Sequence, residues 1–221
     1  MAPTTYTPAL GAEWLTPLYD GLCWLLRAGR VKRRLIDQAR IEPNHTVLDL
    51  GCATATLTLM IAEAQPEARV AGLDPDPGAL AIAARKARRA DVALPLTRAF
   101  SFDLPFANES IDRVVSSLVF HHLTHTDKER TLLEIHRILK PAGELHVLDF
   151  GEQHSHSRHR LVEWFHHSHS GGDELADHLS GNLPEMFRKA GFEDATEAGR
   201  HSLILGSVSF YRGRKPEADA P

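Results

Sequence analysis

The sequence has only two cysteines, Cys23 and Cys52, so a framework of disulfide bonds is excluded and a reducing, cytoplasmic compartment is expected. It also has no run of about 18 or more apolar residues, the length that a membrane-spanning helix needs. The apolar stretch at 22–26 is followed directly by Arg27, so we expect no membrane span. The start of the chain lacks the basic and apolar segments of a secretion signal.

The chain has no large excess of charge of one sign. Lysine and arginine total 25, aspartate and glutamate total 29, and the formal net charge is −4 at pH 7. This balance argues against a protein that binds nucleic acid through its bulk charge. Two basic runs, at 27–34 and 85–89, are interpreted as solvated helix faces. Apolar residues make up 43% of the chain, which is typical of a globular domain.

Short apolar runs alternate with amphipathic stretches from residue 46 onward. The strand-like runs lie at 46–50, 69–73, 111–119 and 145–150, and helical spacing of apolar residues separates them. This alternation predicts right-handed crossovers and a parallel sheet. Two further strand-like runs within 197–212 have the short separation of an antiparallel hairpin. The fold class is therefore α/β, with a parallel sheet that ends in a hairpin.

Two acidic positions follow the first two predicted strands. Ligands of open parallel sheets bind beyond the carboxyl ends of the strands, near the point where the strand order reverses. A loop, Asp49–Ala55, follows the first strand, and Asp74 follows the second, roughly 20 residues after Gly51. A carboxylate at this distance can accept both hydroxyl groups of a ribose. Together, the loop, the helix after it and Asp74 predict a nucleoside ligand.

Five segments in order give the chain a resemblance to a known family. They are VLDLGCATATLTL at 47–59, VAGLDPDPGAL at 70–80, FDLPFANESIDRVVSSLVFHHL at 102–123, EIHRILKPAGELHVLDF at 134–150, and the terminal VSFYRGRK. The sequence resembles the class I S-adenosylmethionine-dependent methyltransferases, in the group that contains the ubiquinone and menaquinone C-methyltransferases. The resemblance implies a Rossmann-like, doubly wound, mostly parallel seven-stranded sheet with S-adenosylmethionine as the cofactor. It also implies methyl transfer to a small-molecule acceptor, by a monomer or homodimer without nucleic acid.

The chain is expected to divide into a cap, a cofactor-binding domain and a tail. Residues 1–45 are predicted to form an N-terminal helical cap, residues 46–213 the methyltransferase domain, and residues 214–221 a disordered tail. Within the domain, residues 152–181 have little core pattern. They include six histidines between positions 154 and 169, and they are interpreted as a histidine-rich cap insertion.

The loop after the first strand departs from the family pattern, which is acidic-x-Gly-x-Gly-x-Gly. Asp49 and Gly51 match it, whereas Ala53 and Ala55 replace the second and third glycines. Alanine in a left-handed conformation costs on the order of 1–2 kcal/mol, so we expect the loop to have adapted around Ala53. Cys52 lies in the same loop, beside the cofactor.

By the same resemblance, the carboxylate of Asp74 accepts the ribose hydroxyls, and the backbone carbonyl of Ser117 meets the amine of the cofactor. The ring of Phe100 forms an apolar wall for the adenine, at a position where the family often has aspartate. The other predicted cofactor contacts lie next to these residues and are Pro75, Ser101 and Phe102.

Histidines are the candidates for a general base, because imidazole titrates near neutral pH. His121 and His122 follow the fourth strand at the carboxyl edge of the sheet, and helix capping or packing is the alternative for both. His154 lies in the histidine-rich segment. Tyr19 lies in the N-terminal helices, which in this family often close over the active site, and core packing is its alternative.

The histidine-rich segment also contains a possible metal-binding pattern. If residues 157–169 are helical, His159, Glu163 and His166 share one face and could bind zinc or iron. A metal site needs a fixed second set of contacts, so the segment is interpreted as a solvated or pocket-lining cap and no metal is expected.

Two other functions compete with methyl transfer. The first alternative, suggested by Ala53 and Ala55 in place of glycines, is a protein of the same fold that binds S-adenosylmethionine or a related nucleoside without catalysis. A nicotinamide dehydrogenase is disfavoured, because a pyrophosphate needs the missing glycines for close approach of the backbone.

Overall fold

The computed structural model describes residues 28–150, 183–203 and 206–218, and the structural statements below refer to these residues. Tyr19, His154 and the histidine-rich segment lie outside them, so the predictions for those residues stay predictions. None of the helices in the described ranges is long and apolar enough to cross a membrane.

Helices and strands alternate along the described chain. In order they are α1 (Ala28–Ala39), β1 (Thr46–Leu50), α2 (Thr56–Ala64), β2 (Arg69–Asp74), α3 (Pro77–Arg89), β3 (Leu96–Arg98), β4 (Ile111–Ser117), a 3₁₀ turn (Phe120–His122), α4 (His125–Ile138), β5 (Leu139–Phe150), α5 (Leu183–Lys189), β6 (Glu193–Leu203) and β7 (Gly206–Arg214).

The described strands form one seven-stranded sheet in the order β3-β2-β1-β4-β5-β7-β6. The first five pair in parallel, and β7 runs antiparallel to both of its neighbours, β5 and β6. The predicted α/β fold, a doubly wound and mostly parallel sheet that ends in an antiparallel hairpin, is confirmed.

Two apolar clusters hold the helices on the sheet. One joins α4 and α5 to the strands and includes Leu132 and Phe187, and the other joins α1 and α2 through Leu35 and Ile61. Four of the five residues of β1 are buried, because a central parallel strand is covered on both faces. The sheet is thus a rigid platform whose carboxyl edge carries the loops.

The sequence patterns missed β3 and placed the start of β5 too late. β3 has only three residues, which is too short for an alternating pattern to be visible. β5 begins at Leu139, which pairs with Ile111 of β4, and not at Leu145. The segment predicted as a turn after α4 is an irregular stretch within β5, where Ala142 has a φ of 60°.

The expected C-terminal tail begins inside the sheet. Arg214 is the last residue of β7 and pairs with Glu144 of β5, and the Lys215 backbone N–H donates to the carbonyl of Gly143 at 2.8 Å. The start of the predicted tail, 214–221, is therefore tied to β5.

Candidate functional site

The strand order reverses between β1 and β4, since the chain proceeds from β1 to β2 and β3 on one side and from β4 to β5 on the other. In open α/β sheets, ligands bind at this point, beyond the carboxyl ends of the strands. The loop after β1, the end of β2 and the turn after β4 all lie there.

Asp49 is buried near the end of β1, with 1% of its surface exposed. The hydroxyl of Thr58 in α2 donates to its Oδ2 at 2.6 Å, which ties the strand to the helix. Burial raises the pKa of Asp49 to about 6, because loss of hydration outweighs the Thr58 hydrogen bond and the charge of Lys32. The site therefore holds a buried carboxyl whose ionisation responds to nearby charges.

The loop after β1 keeps a left-handed backbone at three positions. Gly51 has a φ of 72°, and an added Cβ there would lie 2.3 Å from Cγ2 of Val119, so only glycine fits. Ala53 and Ala55 have φ values of 46° and 59°. The expectation that the loop adapted around Ala53 is wrong, because the alanines adopt the conformation that glycine favours and bear its strain.

Asp74 joins the end of β2 to this loop. It is 8% exposed, its Oδ2 accepts from the backbone N–H of Ala53 at 2.8 Å, and its Oδ1 accepts from that of Asp76 at 2.9 Å. Burial raises its pKa, although both backbone hydrogen bonds lower it. A carboxylate has about four lone-pair sites, so Asp74 can still accept hydrogen bonds from two ribose hydroxyls, which fits the predicted nucleoside.

Ser117 has a buried hydroxyl with no hydrogen-bond partner among the described residues. Buried polar groups are normally paired, so such a group is one that a ligand can satisfy. Ser117 borders a pocket at the switch point. The other residues around this pocket include Lys32, Asp49, Gly51 and Ala53. The predicted contact through the carbonyl of Ser117 stays a prediction, and the hydroxyl is a second group at the same place.

The predicted adenine contacts form an aromatic edge after β3. The rings of Phe100 and Phe102 stack, with centroids 5.2 Å apart and planes at 12°, and the guanidinium of Arg130 lies 4.4 Å from the Phe102 centroid. The Ser101 hydroxyl lies 2.8 Å from that of Thr131, in a buried hydrogen bond to α4. These contacts fix the loop, while the adenine contacts themselves stay predictions.

Cys52 and Pro75 have structural contacts. An added Cβ on Gly72 would lie 2.8 Å from the Cys52 Sγ, so the thiol packs closely against β2. Burial raises the pKa of the Cys52 thiol, and the nearby charges of Asp49 and Asp74 raise it further, so the thiol stays protonated and unreactive. The carbonyl of Pro75 accepts from Nε of Arg98 at 3.2 Å.

Asp149 is a functional candidate that the sequence reasoning missed. It is fully buried in β5, and its Oδ1 lies 2.8 Å from Nδ1 of His121. Its Oδ2 accepts from the backbone N–H groups of Val119 at 3.1 Å and Phe120 at 2.8 Å. The carboxylate therefore fixes the turn after β4 and orients the His121 ring, against which the His122 ring lies at a centroid distance of 3.9 Å.

A metal site is not formed by the described parts of the chain. No group of three or more histidine, cysteine, aspartate or glutamate side chains is arranged there to hold an ion. The histidine-rich segment lies outside these parts, so the expectation of no metal stays a prediction.

Comparison with known proteins finds similarity to methyltransferases. The family model described as "Methyltransferase domain" matches residues 47–143. The demethylmenaquinone methyltransferase of Thermus thermophilus is 37% identical over 139 residues, 62% of this chain and 62% of that protein. That of Symbiobacterium thermophilum is 26% identical over 89% of this chain and 88% of that protein. The structure of Haemonchus contortus phosphoethanolamine N-methyltransferase 2 with S-adenosyl-L-methionine has a TM-score of 0.69, at 14% identity over 95% of this chain and 59% of that one.

The strand order defines a doubly wound α/β domain, and the predicted site residues Asp49, Gly51 and Asp74 lie at its switch point. The family match shows a methyltransferase domain at residues 47–143, the chain is similar to demethylmenaquinone methyltransferases, and both findings support S-adenosylmethionine-dependent methyl transfer. S-adenosylmethionine is the cofactor of this family, and the remaining acceptor capacity of Asp74 and the unpaired hydroxyl of Ser117 fit it. Neither the family match nor the relatives support the non-catalytic alternative.

Proposed function

We propose that this methyltransferase acts on a small hydroxylated aromatic ring and that His121 activates the ring by removing its hydroxyl proton. The observation that carries the proposal is the buried pair of His121 and Asp149 beside the cofactor loop. The relatives are named as demethylmenaquinone methyltransferases, which supports an acceptor of the naphthoquinol kind.

The cofactor side of the site is built from the loop and the two aspartates. Asp74 accepts the ribose hydroxyls, and Asp49 and Ser117 face the amine of the methionine part. S-adenosylmethionine, when bound, supplies a methyl group bonded to a positively charged sulfur, and a nucleophile that approaches in line with that bond displaces the sulfur from the methyl carbon. The residues of the site contribute by fixing the distance and the angle of approach, which can supply much of the rate acceleration.

The acceptor side depends on the tautomer of His121. An ionised carboxylate only accepts hydrogen bonds, so Nδ1 carries the hydrogen that faces Asp149 and Nε2 is the basic nitrogen. The hydroxyl of the acceptor gives its proton to Nε2, and the ring carbon beside that hydroxyl becomes nucleophilic. That carbon would form a bond to the methyl group as the bond from the methyl to sulfur breaks. The carbon then loses its hydrogen as a proton to water, and the oxygen takes back the proton from Nε2, which restores the aromatic hydroxyl and the neutral histidine. Val119, two residues before His121, packs on Gly51 of the cofactor loop, which brings the base close to the cofactor.

The experiment measures methyl transfer from labelled S-adenosylmethionine to a reduced, short-chain 2-prenylnaphthoquinone, with products identified by mass spectrometry. The matched control acceptor has both hydroxyls methylated. His121→Gln is expected to lower kcat by about 10²–10⁴-fold and to change the affinity for S-adenosylhomocysteine less than about two-fold. His125→Gln, a change of an exposed histidine four residues away, should leave both values unchanged.

Two results would contradict the proposal. Methylation of the blocked acceptor at the same rate would show that no hydroxyl proton has to be removed. Tight binding of S-adenosylhomocysteine without methylation of any hydroxylated ring would favour the non-catalytic alternative.

A further inference from the structure

The C-terminal end of α1 is held on the sheet by polar contacts. The side-chain nitrogen of Gln38 donates to the carbonyl of Tyr211 in β7 at 3.1 Å and lies 3.1 Å from Nδ1 of His146 in β5. The carbonyl of Ala39 accepts from Nε of Arg113 in β4 at 3.0 Å. The last turn of the helix is therefore tied to three neighbouring strands.

His146 is fully buried, and its contacts fix the position of its hydrogen. A backbone carbonyl only accepts hydrogen bonds, so the atom of Gln38 that faces Tyr211 is the amide nitrogen. This nitrogen also donates to Nδ1 of His146, which must then lack a hydrogen. The hydrogen of the neutral ring is therefore on Nε2, which lies 3.0 Å from Oε2 of Glu144.

A protonated His146 cannot keep this arrangement with Gln38. Imidazolium carries a hydrogen on both nitrogens, so Nδ1 would meet the amide hydrogens of Gln38. If the amide turns to present its oxygen to Nδ1, that oxygen faces the carbonyl of Tyr211, which loses its donor. Either orientation sets two donors or two acceptors against each other in a buried place, which is costly. Protonation of the ring therefore weakens the attachment of α1.

The charged groups that face His146 come from three strands. They are Glu144 on β5, Arg113 on β4 and Arg212 on β7, while α1 contributes the neutral Gln38. Burial lowers the pKa of His146 below its ordinary value of 6.5, Glu144 opposes this shift, and the two arginines add to it. The folded protein therefore favours the neutral ring that the contact with Gln38 requires.

We propose that His146 is a pH-sensitive switch that releases the C-terminal end of α1 from the sheet in mild acid. Release exposes the ring, which then binds a proton with its ordinary affinity, so the attachment is complete well above pH 6.5 and weakens as pH falls below it. Lys32 of the same helix is buried and borders the pocket at the switch point, contrary to its interpretation as part of a solvated face. Release of α1 therefore also opens that side of the pocket.

Hydrogen exchange of the full chain, read by mass spectrometry, measures the protection factors of the amides in α1 and α4 at about pH 7.5 and about pH 5.5. Through His146, the protection of α1 should fall by about 10-fold between these two values. His146→Asn does not titrate, its carbonyl oxygen can accept from Gln38, and it should remove this fall. His136→Asn changes a histidine of α4 that packs on Phe192, and it should keep the fall.

Asp49 is a second group that titrates in this range, and the charge of Lys32 in α1 acts on it. The contribution of His146 is therefore the difference between the natural protein and His146→Asn, since both keep Asp49.

Two results of this comparison would overturn the inference. One is the same dependence on pH in the natural protein and in His146→Asn. The other is an equal fall in α1 and α4 that His146→Asn removes from both helices, because His146 would then support the whole fold. If His146→Asn fails to fold, Gln38→Glu decides. A carboxylate at position 38 accepts from the protonated ring, so the fall in acid should disappear or reverse, and an unchanged fall would overturn the inference.

Discussion

Left-handed backbone occurs at three residues of the loop after β1, which are Gly51, Ala53 and Ala55. Gly51 and Ala53 both have positive φ values, and an added Cβ at Gly51 would also meet the side chain of Val119, whereas Ala53 already has its Cβ. Substitutions at the two positions therefore separate the cost of a left-handed backbone from the cost of steric overlap with a neighbouring side chain.

Gly51→Ala is expected to destabilise the protein by roughly 2–4 kcal/mol, because the new methyl group meets Val119 in a conformation that alanine disfavours. Ala53→Gly is its counterpart. It relieves strain of about 1–2 kcal/mol and adds about 0.4–1 kcal/mol of unfolded-state entropy, so stability should stay equal or rise by up to about 1.6 kcal/mol. Urea unfolding measures both variants, and a clear loss of stability in Ala53→Gly would show that the alanine is not strained.

Asp74 has a structural contact as well as its proposed ligand contact, since it accepts from the backbone of Ala53. Asp74→Ala is therefore expected to weaken S-adenosylhomocysteine binding by at least about 10–100-fold and also to loosen the loop. Asp76→Ala, which removes only the N-cap of α3, is the control. It should cost about 1 kcal/mol of stability with little change in affinity, and calorimetry with thermal unfolding compares the two. An unchanged affinity in Asp74→Ala would remove that residue from the site.

At the scale of elements, β5 carries two carboxylate–histidine pairs with different surroundings. Asp149 holds His121 and the turn after β4, whereas Glu144 lies 3.0 Å from the buried His146, away from the carboxyl edge. A carboxylate can thus be replaced by its amide at two positions of one strand, inside the site at Asp149 and outside it at Glu144.

Asp149→Asn is expected to lower kcat by up to about 10²–10⁴-fold, because an amide cannot accept from both His121 and the backbone. It should also cost roughly 1–3 kcal/mol of stability. Glu144→Gln should leave kcat unchanged. The steady-state rate is measured across pH, because loss of the orientation of His121 alters the pH profile whereas a loss of folded protein does not. Equal effects of Asp149→Asn and Glu144→Gln on kcat would contradict a positioning role for Asp149.

The sequence predicts residues whose contacts are with nearby parts of the chain, and it misses residues whose contacts form between distant parts. Gly51 and Asp74 were identified because their roles depend on neighbouring backbone, which leaves a local pattern. Asp149 was missed, because its contact with His121 forms only when the ends of two strands meet. Lys32 was grouped with a solvated basic face, since helical spacing alone does not show that one position of α1 faces a pocket.

At the scale of the whole molecule, buried carboxyls make stability depend on pH. The folded pKa of Asp49 is about 6, above its ordinary value of 3.8, so the folded state binds this proton more tightly. The stabilisation by that proton is complete below about pH 4 and is lost as pH rises through 6. Asp49→Asn should therefore gain about 2–3 kcal/mol relative to the natural protein between pH 4 and 7.

The measurement is the difference in free energy of unfolding between the two proteins at each pH, with Asp37→Asn, an exposed change in α1, as the control. A difference that does not vary with pH would show that Asp49 has an ordinary pKa. Taking differences removes the contribution of carboxyls far from Asp49, whereas the charge of Asp74, which raises the pKa of Asp49, contributes through that coupling.

The position of β7 between β5 and β6 has a consequence for synthesis of the protein. Of the seven described strands, β7 leaves the ribosome last and is an interior strand, with Phe210 and Tyr211 buried. Until it emerges, β5 has an open edge and β6 has no partner to pair with. The cofactor loop and Asp74 are synthesised before β7, so the sheet that supports them is completed only when β7 has emerged. A nascent chain halted before residue 206 would expose an unpaired strand edge, the kind of surface that chaperones protect from aggregation.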